Sequence, residues 1–191
     1  MINHAIDLER QGEAEHAMEM ATGAAEWAEK LLRSSGSRFL EPTVDALAAV
    51  CTIGLQGNYL REARAAGERA MRLSADLPDE AMGFKVLGIL PNLSDVYAKS
   101  GAQAAALEAA TQAYRLLQEA EQGDGAFLID LDTRIGIRDV YAKRLADAGC
   151  TADAVAVVRD AVAFAALPTS GAVSATPAHT LVHLANMLGD L

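Results

Sequence analysis

Cysteine is nearly absent from this chain of 191 residues: Cys51 and Cys150 are the only two, far apart and outside any CxxC or metal-type spacing. A disulfide framework or cysteine-based zinc site is not expected, and two free thiols, buried or partly buried, are the reading. Aromatic residues are scarce too, 5% against 51% hydrophobic residues overall, so small side chains carry the apolar content. Alanine leads them and has the highest intrinsic helix propensity, which favours closely packed helices. Basic charge is also short, and the net charge of −10 leaves no reason for attraction to phosphate backbones or anionic membranes. The acidity is read as a means of solubility in preference to a groove selecting a basic ligand. No run approaches the roughly 18 apolar residues of a membrane span, and the opening MINHAIDLERQGEAEH lacks the apolar segment of a secretory signal. A cytoplasmic protein with neither nucleic-acid nor membrane partners is expected.

What is present is repetition. The pentapeptide Asp-Val-Tyr-Ala-Lys occurs at Asp95–Lys99 and again at Asp139–Lys143, 44 residues apart. Glycine-centred turns recur at Gly12, Gly57, Gly101 and Gly149, with spacings of 45, 44 and 48. The longest spacing contains Arg144–Asp147, an extra helical turn without a counterpart in the preceding copy. After each glycine, small residues follow at i, i+4 and i+7: Ala17, Ala21 and Ala24; Ala63, Gly67 and Ala70; Ala106, Ala110 and Ala113; Ala154, Val158 and Ala161. That spacing makes one face of a helix, and a face of small side chains lets two backbones approach closely.

This pattern, with Leu93 and Tyr97 before the glycine in NLSDVYAKSG, resembles the tetratricopeptide repeat. The period is longer than the family's usual one of about 34 and resembles the long-helix variety of kinesin light chains and bacterial repeat proteins. Ile53 and Leu8 stand in place of the tyrosine in other copies, and the terminal proline is clear at Pro78 and Pro168. The resemblance implies an all-α fold, a right-handed α-solenoid of antiparallel helix hairpins in one domain over 1–191. About four hairpins are expected, near 2–33, 43–76, 79–122 and 127–166. Residues 177–189, opened by Thr176 and Pro177 and striped with Leu181, Leu184 and Leu188, would form a terminal capping helix. The short opening helix and the final Gly-Asp-Leu suit a piece of a longer array as well as a complete one.

Three local expectations follow. Trp27 shares a helix face with Met20 and Leu31 and is expected to pack in the core. Gly36 should stop the second helix, and Pro91 should kink or divide the first helix of the third hairpin.

A search for catalytic or metal chemistry returns weak signals. His179 and His183 lie at i, i+4 but lack the glutamate of HExxH and a third ligand. Glu13 and His16 form a single ExxH, where di-iron bundles use two. Phosphate-binding, nucleophile-elbow and dinucleotide motifs are missing. No enzyme activity, cofactor or metal is expected. A protein-interaction scaffold is, with a peptide, a partner protein or a second copy as ligand. In the family it resembles, polar residues on the first helix of each hairpin engage the ligand, which points to Asp95 and Lys99 in the third repeat and Asp139, Lys143 and Asp147 in the fourth, with Asn92 and Arg138 nearby. The second repeat departs from that pattern, presenting Val44, Leu47, Cys51 and Leu55 as an apolar face. The alternatives are a sensing segment of a larger bacterial signalling protein and, further off, a small helical metal enzyme using His179 and His183.

Overall fold

The computed structural model describes residues 2–123 and 129–165. Among them the chain is all-helical: α1 (Ile2–Arg10), α2 (Ala14–Ser35), a 3-10 turn (Ser37–Phe39), α3 (Leu40–Gln56), α4 (Leu60–Ser74), α5 (Asp79–Lys99), α6 (Gln103–Gln122), α7 (Leu131–Asp147) and α8 (Thr151–Ala165). The expected capping helix, with His179 and His183, lies outside the described residues.

The turns explain why the chain folds back. A helix can end on a residue in the left-handed conformation, letting the amide two beyond the cap bond the carbonyl five residues earlier. Gly12, Gly101 and Gly149 have φ of 82°, 79° and 79°. Bonds of this kind run from Glu13 N to Leu8 O (2.9 Å), Ala102 N to Tyr97 O (2.8 Å) and Cys150 N to Leu145 O (2.9 Å). The second turn corrects the glycine register: its left-handed residue is Asn58, φ 64°, and Tyr59 N donates to Gly54 O at 2.7 Å. Gly57 has φ −77° instead. Asparagine tolerates this conformation better than other side chains. Gly54, not Ile53, therefore stands where Tyr97 does before its own turn.

Counted from these four residues, the packing is regular. Five positions on stand Ala17, Ala63, Ala106 and Ala154, each 0% exposed. Seven positions before stand Ala5, Cys51, Ser94 and Ala142, none above 1%. Small residues on both helices of each turn bring the backbones together, so an added methylene has nowhere to go; a Cβ on Gly54 would lie 3.0 Å from that of Ala63.

Contacts cluster in two compact units, residues 1–102 and 103–191. In the first, α1 packs on α2, α2 on α3, α3 on α4 and α4 on α5, while α3 also touches both α1 and α5. Its core includes Val44, Leu47, Val50, Ile53 and Ile89. Val44, Leu47, Cys51 and Leu55, the apolar face of the second repeat, are 0 to 8% exposed and belong to buried clusters. α5 runs unbroken through Pro91, so of the expected kink or division the helix is not divided; Asn92 Nδ2 donates to Gly88 O at 3.2 Å in the turn before the proline ring. Trp27 departs from expectation more sharply, being 60% exposed. Its neighbours Ala24, Ala25 and Ala28 take the buried face of α2, leaving the indole beyond it. Gly36 does end α2, with φ 78°.

In the second unit α7 packs against both α6 and α8, around Ile135, Ala142, Leu145, Ala154, Val158 and Ala161. Asp130 caps α7: its carboxylate accepts from Thr133 N (2.8 Å) and Thr133 Oγ1 (2.7 Å). These bonds hold its pKa below the ordinary value, and such a cap contributes about 1 kcal/mol.

Candidate functional site

Helices α3 and α5 place a polar seam along their shared edge. Lys85, Asn92 and Lys99 recur every seven residues on α5, one face of the helix. Lys85 Nζ reaches Asp45 (2.6 Å) and Glu41 (3.2 Å); Asn92 Nδ2 donates to Thr52 Oγ1 (3.0 Å) and Lys99 Nζ to Leu55 O (3.4 Å). Burial works to lower the Lys85 pKa, but the two carboxylates outweigh it and raise it. In the corrected register Thr52 and Gln56, not Cys51 and Leu55, correspond to Asp95 and Lys99. Gln56 is exposed and Thr52 and Asp95 are half-buried, so this edge is polar along its length.

The remaining expected residues lie on α7. Asp139 pairs with Lys143 at 2.7 Å and Asp147, which is exposed, with Arg144 at 3.4 Å. Arg138 is placed differently from a ligand-facing residue. It is 4% exposed, donates through both terminal nitrogens to Glu121 on α6 (3.1 and 2.8 Å) and through Nε to Asp160 on α8 (3.0 Å). Burial lowers its pKa and the two carboxylates more than restore it. Arg138 stands eleven residues before Gly149, the place held by buried Leu47 and Leu90 before Asn58 and Gly101. A charge in a leucine position has to be neutralised in place, and Glu121 and Asp160 do so from the two flanking helices.

Tyr97 and Tyr141, the tyrosines of the two pentapeptides, have different neighbours. The Tyr97 hydroxyl donates to Glu68 on α4 (3.1 Å), and the Arg64 guanidinium lies 5.2 Å from the ring centre. Burial, followed by Glu68, raises its pKa. Tyr141 stacks on Tyr114 of α6, ring centres 4.6 Å apart.

Two grooves in the first unit were missed by sequence reasoning. One, of about 340 Å³, lies beside Trp27 and is lined by Ile2, Ala28, Pro42 and Ala46. The other runs between α2 and α4 and carries Glu15, Glu19, Glu26 and Glu62. A signal existed for the second: Glu15, Glu19, Thr22, Glu26 and Glu29 keep to one face of α2. Of the other residues considered for chemistry, His16 lies 2.9 Å from Glu13 in an exposed pair that raises its pKa. Cys51 is buried and its thiol pushed up to about 12, while Cys150 is exposed, against expectation. Among the described residues no acidic, histidine or cysteine cluster could hold a metal ion, and no helix is long and apolar enough to cross a membrane.

Comparison with known proteins returns no match, either to a family model or to a curated sequence.

Proposed function

We propose that the chain is a tetratricopeptide-like, right-handed α-solenoid of four hairpins and a terminal capping helix, and that it serves as a scaffold binding a peptide or partner protein along its first helices. The observation that supports this reading is the fourfold recurrence of one hairpin geometry: a left-handed turn residue, a small buried residue seven positions before it and an alanine with no exposed surface five after it. A repeated supersecondary unit buries its faces against its neighbours and leaves one edge of each first helix for a ligand. Asn92, Asp95 and Lys99 on α5, and Asp139, Lys143 and Asp147 on α7, are the proposed contact residues, with Thr52 and Gln56 added by the corrected register. Arg138 is left out of the contact set, since its guanidinium is spent on Glu121 and Asp160; its part is to hold α7 between α6 and α8. Catalysis has no place in this reading.

Affinity capture from the source cell, followed by mass spectrometry, tests it. A partner recovered by the native chain should be depleted by Lys99→Glu or Lys143→Glu, the charge of each residue being the feature the ligand reads. Partners retained unchanged by both variants would overturn the contact assignment.

A further inference from the structure

A groove runs between α2 and α4 in the first unit, lined by residues other than the contact residues assigned above. It has two connected chambers, of about 440 and 260 Å³, which share Met18, Thr22, Glu26 and Glu62. Its floor is apolar: Met18, Ala25, Leu47, Val50 and Ala66 line it, and each keeps 5 to 8% of its surface exposed. Its rim is acidic. Glu15, Glu19 and Glu26 project from α2 and Glu62 from the start of α4.

Charge balance around this rim is one-sided. Glu29, at the far end, is answered by Arg69 across the seam at 3.2 Å and by Arg33 on its own helix at 3.9 Å. Glu62 pairs, among the described residues, with the exposed Arg61 of its own helix at 3.3 Å. Among the described residues no lysine or arginine lies within ion-pair distance of Glu15, Glu19 or Glu26. From Glu15 to Glu29 the wall of α2 is roughly 20 Å long at the helical rise of about 1.5 Å per residue, which exceeds a single ion or small cation. The mouth is open at Gly23, where an added Cβ would meet nothing within 4 Å.

A ligand for such a surface needs positive charge along its edges and an apolar face toward the floor. We propose that the α2–α4 groove binds a basic amphipathic peptide segment, its Lys or Arg residues on the glutamate rim and its apolar side chains over Met18, Leu47 and Val50. The sign of the rim turns away phosphates and nucleic acid. The apolar floor separates the peptide from a simple polycation, because it rewards apolar burial as well as charge.

The test uses the full chain and a fluorescein-labelled peptide of about 14 leucines and lysines at amphipathic helical spacing, read by fluorescence anisotropy near physiological salt, where rim attraction is screened over about 8 Å. Glu19→Lys combined with Glu62→Lys should weaken binding about tenfold or more, as expected when rim charges are reversed. Gly23→Trp, which leaves the charge unchanged and removes a helix-destabilising glycine, should weaken it to a similar degree by blocking the mouth. Glu108→Lys with Glu119→Lys, on exposed positions of α6, makes the same change in net charge and should leave affinity within about twofold. Circular dichroism confirms that each variant is folded. The proposal is overturned if the peptide does not bind, if the α6 control weakens it as much as the groove variant, if Gly23→Trp has no effect, or if spermine displaces the peptide at matched charge. Lys99→Glu and Lys143→Glu should leave this binding intact, so failure here and failure of the first-helix reading are separable.

Discussion

Asp95–Lys99 ends two residues before its left-handed glycine, whereas the identical Asp139–Lys143 ends six before. That offset is the extra turn Arg144–Asp147, and four residues on an α-helix advance the chain about 6 Å while rotating it about 40° past a full turn. The same five side chains therefore meet different surroundings. In the first copy the fully buried member is Val96, and the tyrosine hydroxyl reaches across to Glu68. In the second it is Ala142, and the tyrosine ring stacks on Tyr114. Lys99 donates to a carbonyl of α3, while Lys143 returns to Asp139 on its own helix. Position relative to the turn, more than sequence identity, decides what a residue does in this fold.

The two regions also differ in how the helix bearing the pentapeptide is held, and Arg138 provides the largest lever. Arg138→Leu, which restores the residue found at the corresponding positions 47 and 90, should destabilise the protein by about 3 kcal/mol, because the half-buried Glu121 is left without its cation. Leucine at both 138 and 121 should recover most of the loss, as paired apolar replacement of a buried ion pair often does. Urea denaturation of the two variants checks this; equal stability of Arg138→Leu and the native chain would remove the distinction. Next come the turns. Gly101→Ala and Gly149→Ala should each cost about 1 to 2 kcal/mol by forcing a Cβ into the left-handed region, whereas Asn58→Gly should change stability by less than about 1 kcal/mol. A destabilised Asn58→Gly would break the equivalence of Asn58 with the three glycines.

The tyrosines separate the copies on a finer scale. Tyr97→Phe should lose about 1 kcal/mol with its bond to Glu68, while Tyr141→Phe keeps its stacked ring and should melt with the native chain. The smallest expected effect is in pH. Arg64, and then Tyr97, hold the Glu68 carboxyl below its ordinary value. A depressed folded-state pKa contributes stability that is full above the ordinary carboxylate range and is lost as pH falls through the folded value. Thermal melts of Glu68→Gln from pH 7 down to pH 3 should therefore converge on the native curve at the acid end; curves separated by the same interval at every pH would dismiss the linkage.

Helix positions and the turns between them were largely legible, since small residues at i, i+4 and i+7 require a helix to bury them and a glycine before each marks the reversal. The second turn was misread because Gly57 offered the obvious left-handed candidate, while the alanines after it already kept step with Asn58: Ala63 is five residues beyond Asn58, as Ala106 is beyond Gly101. That one-residue slip, about 100° around a helix, is why Cys51 and Leu55 were aligned with Asp95 and Lys99, although both are buried and Thr52 and Gln56 hold those positions. Trp27 was misjudged for a different reason. Its spacing to Met20 and Leu31 makes a face, but which face is covered depends on where α1 and α3 cross α2, and the three alanines Ala24, Ala25 and Ala28 allow the closer approach. The α2–α4 groove was half legible: the glutamate stripe lies in the sequence, while Leu47, Val50 and Ala66 are brought to its apolar floor by α3 and α4.

By itself the sequence determined the helices of the described residues, their reversals and the small-residue faces on which they meet, because propensity, periodicity and turn chemistry act between residues a few positions apart. The tertiary structure decided the register of the repeated pentapeptide, the burial of Arg138 and the exposure of Trp27. Each of those depends on what distant helices bring alongside, carboxylates for Arg138 and an open groove for the indole, and no local pattern carries that information.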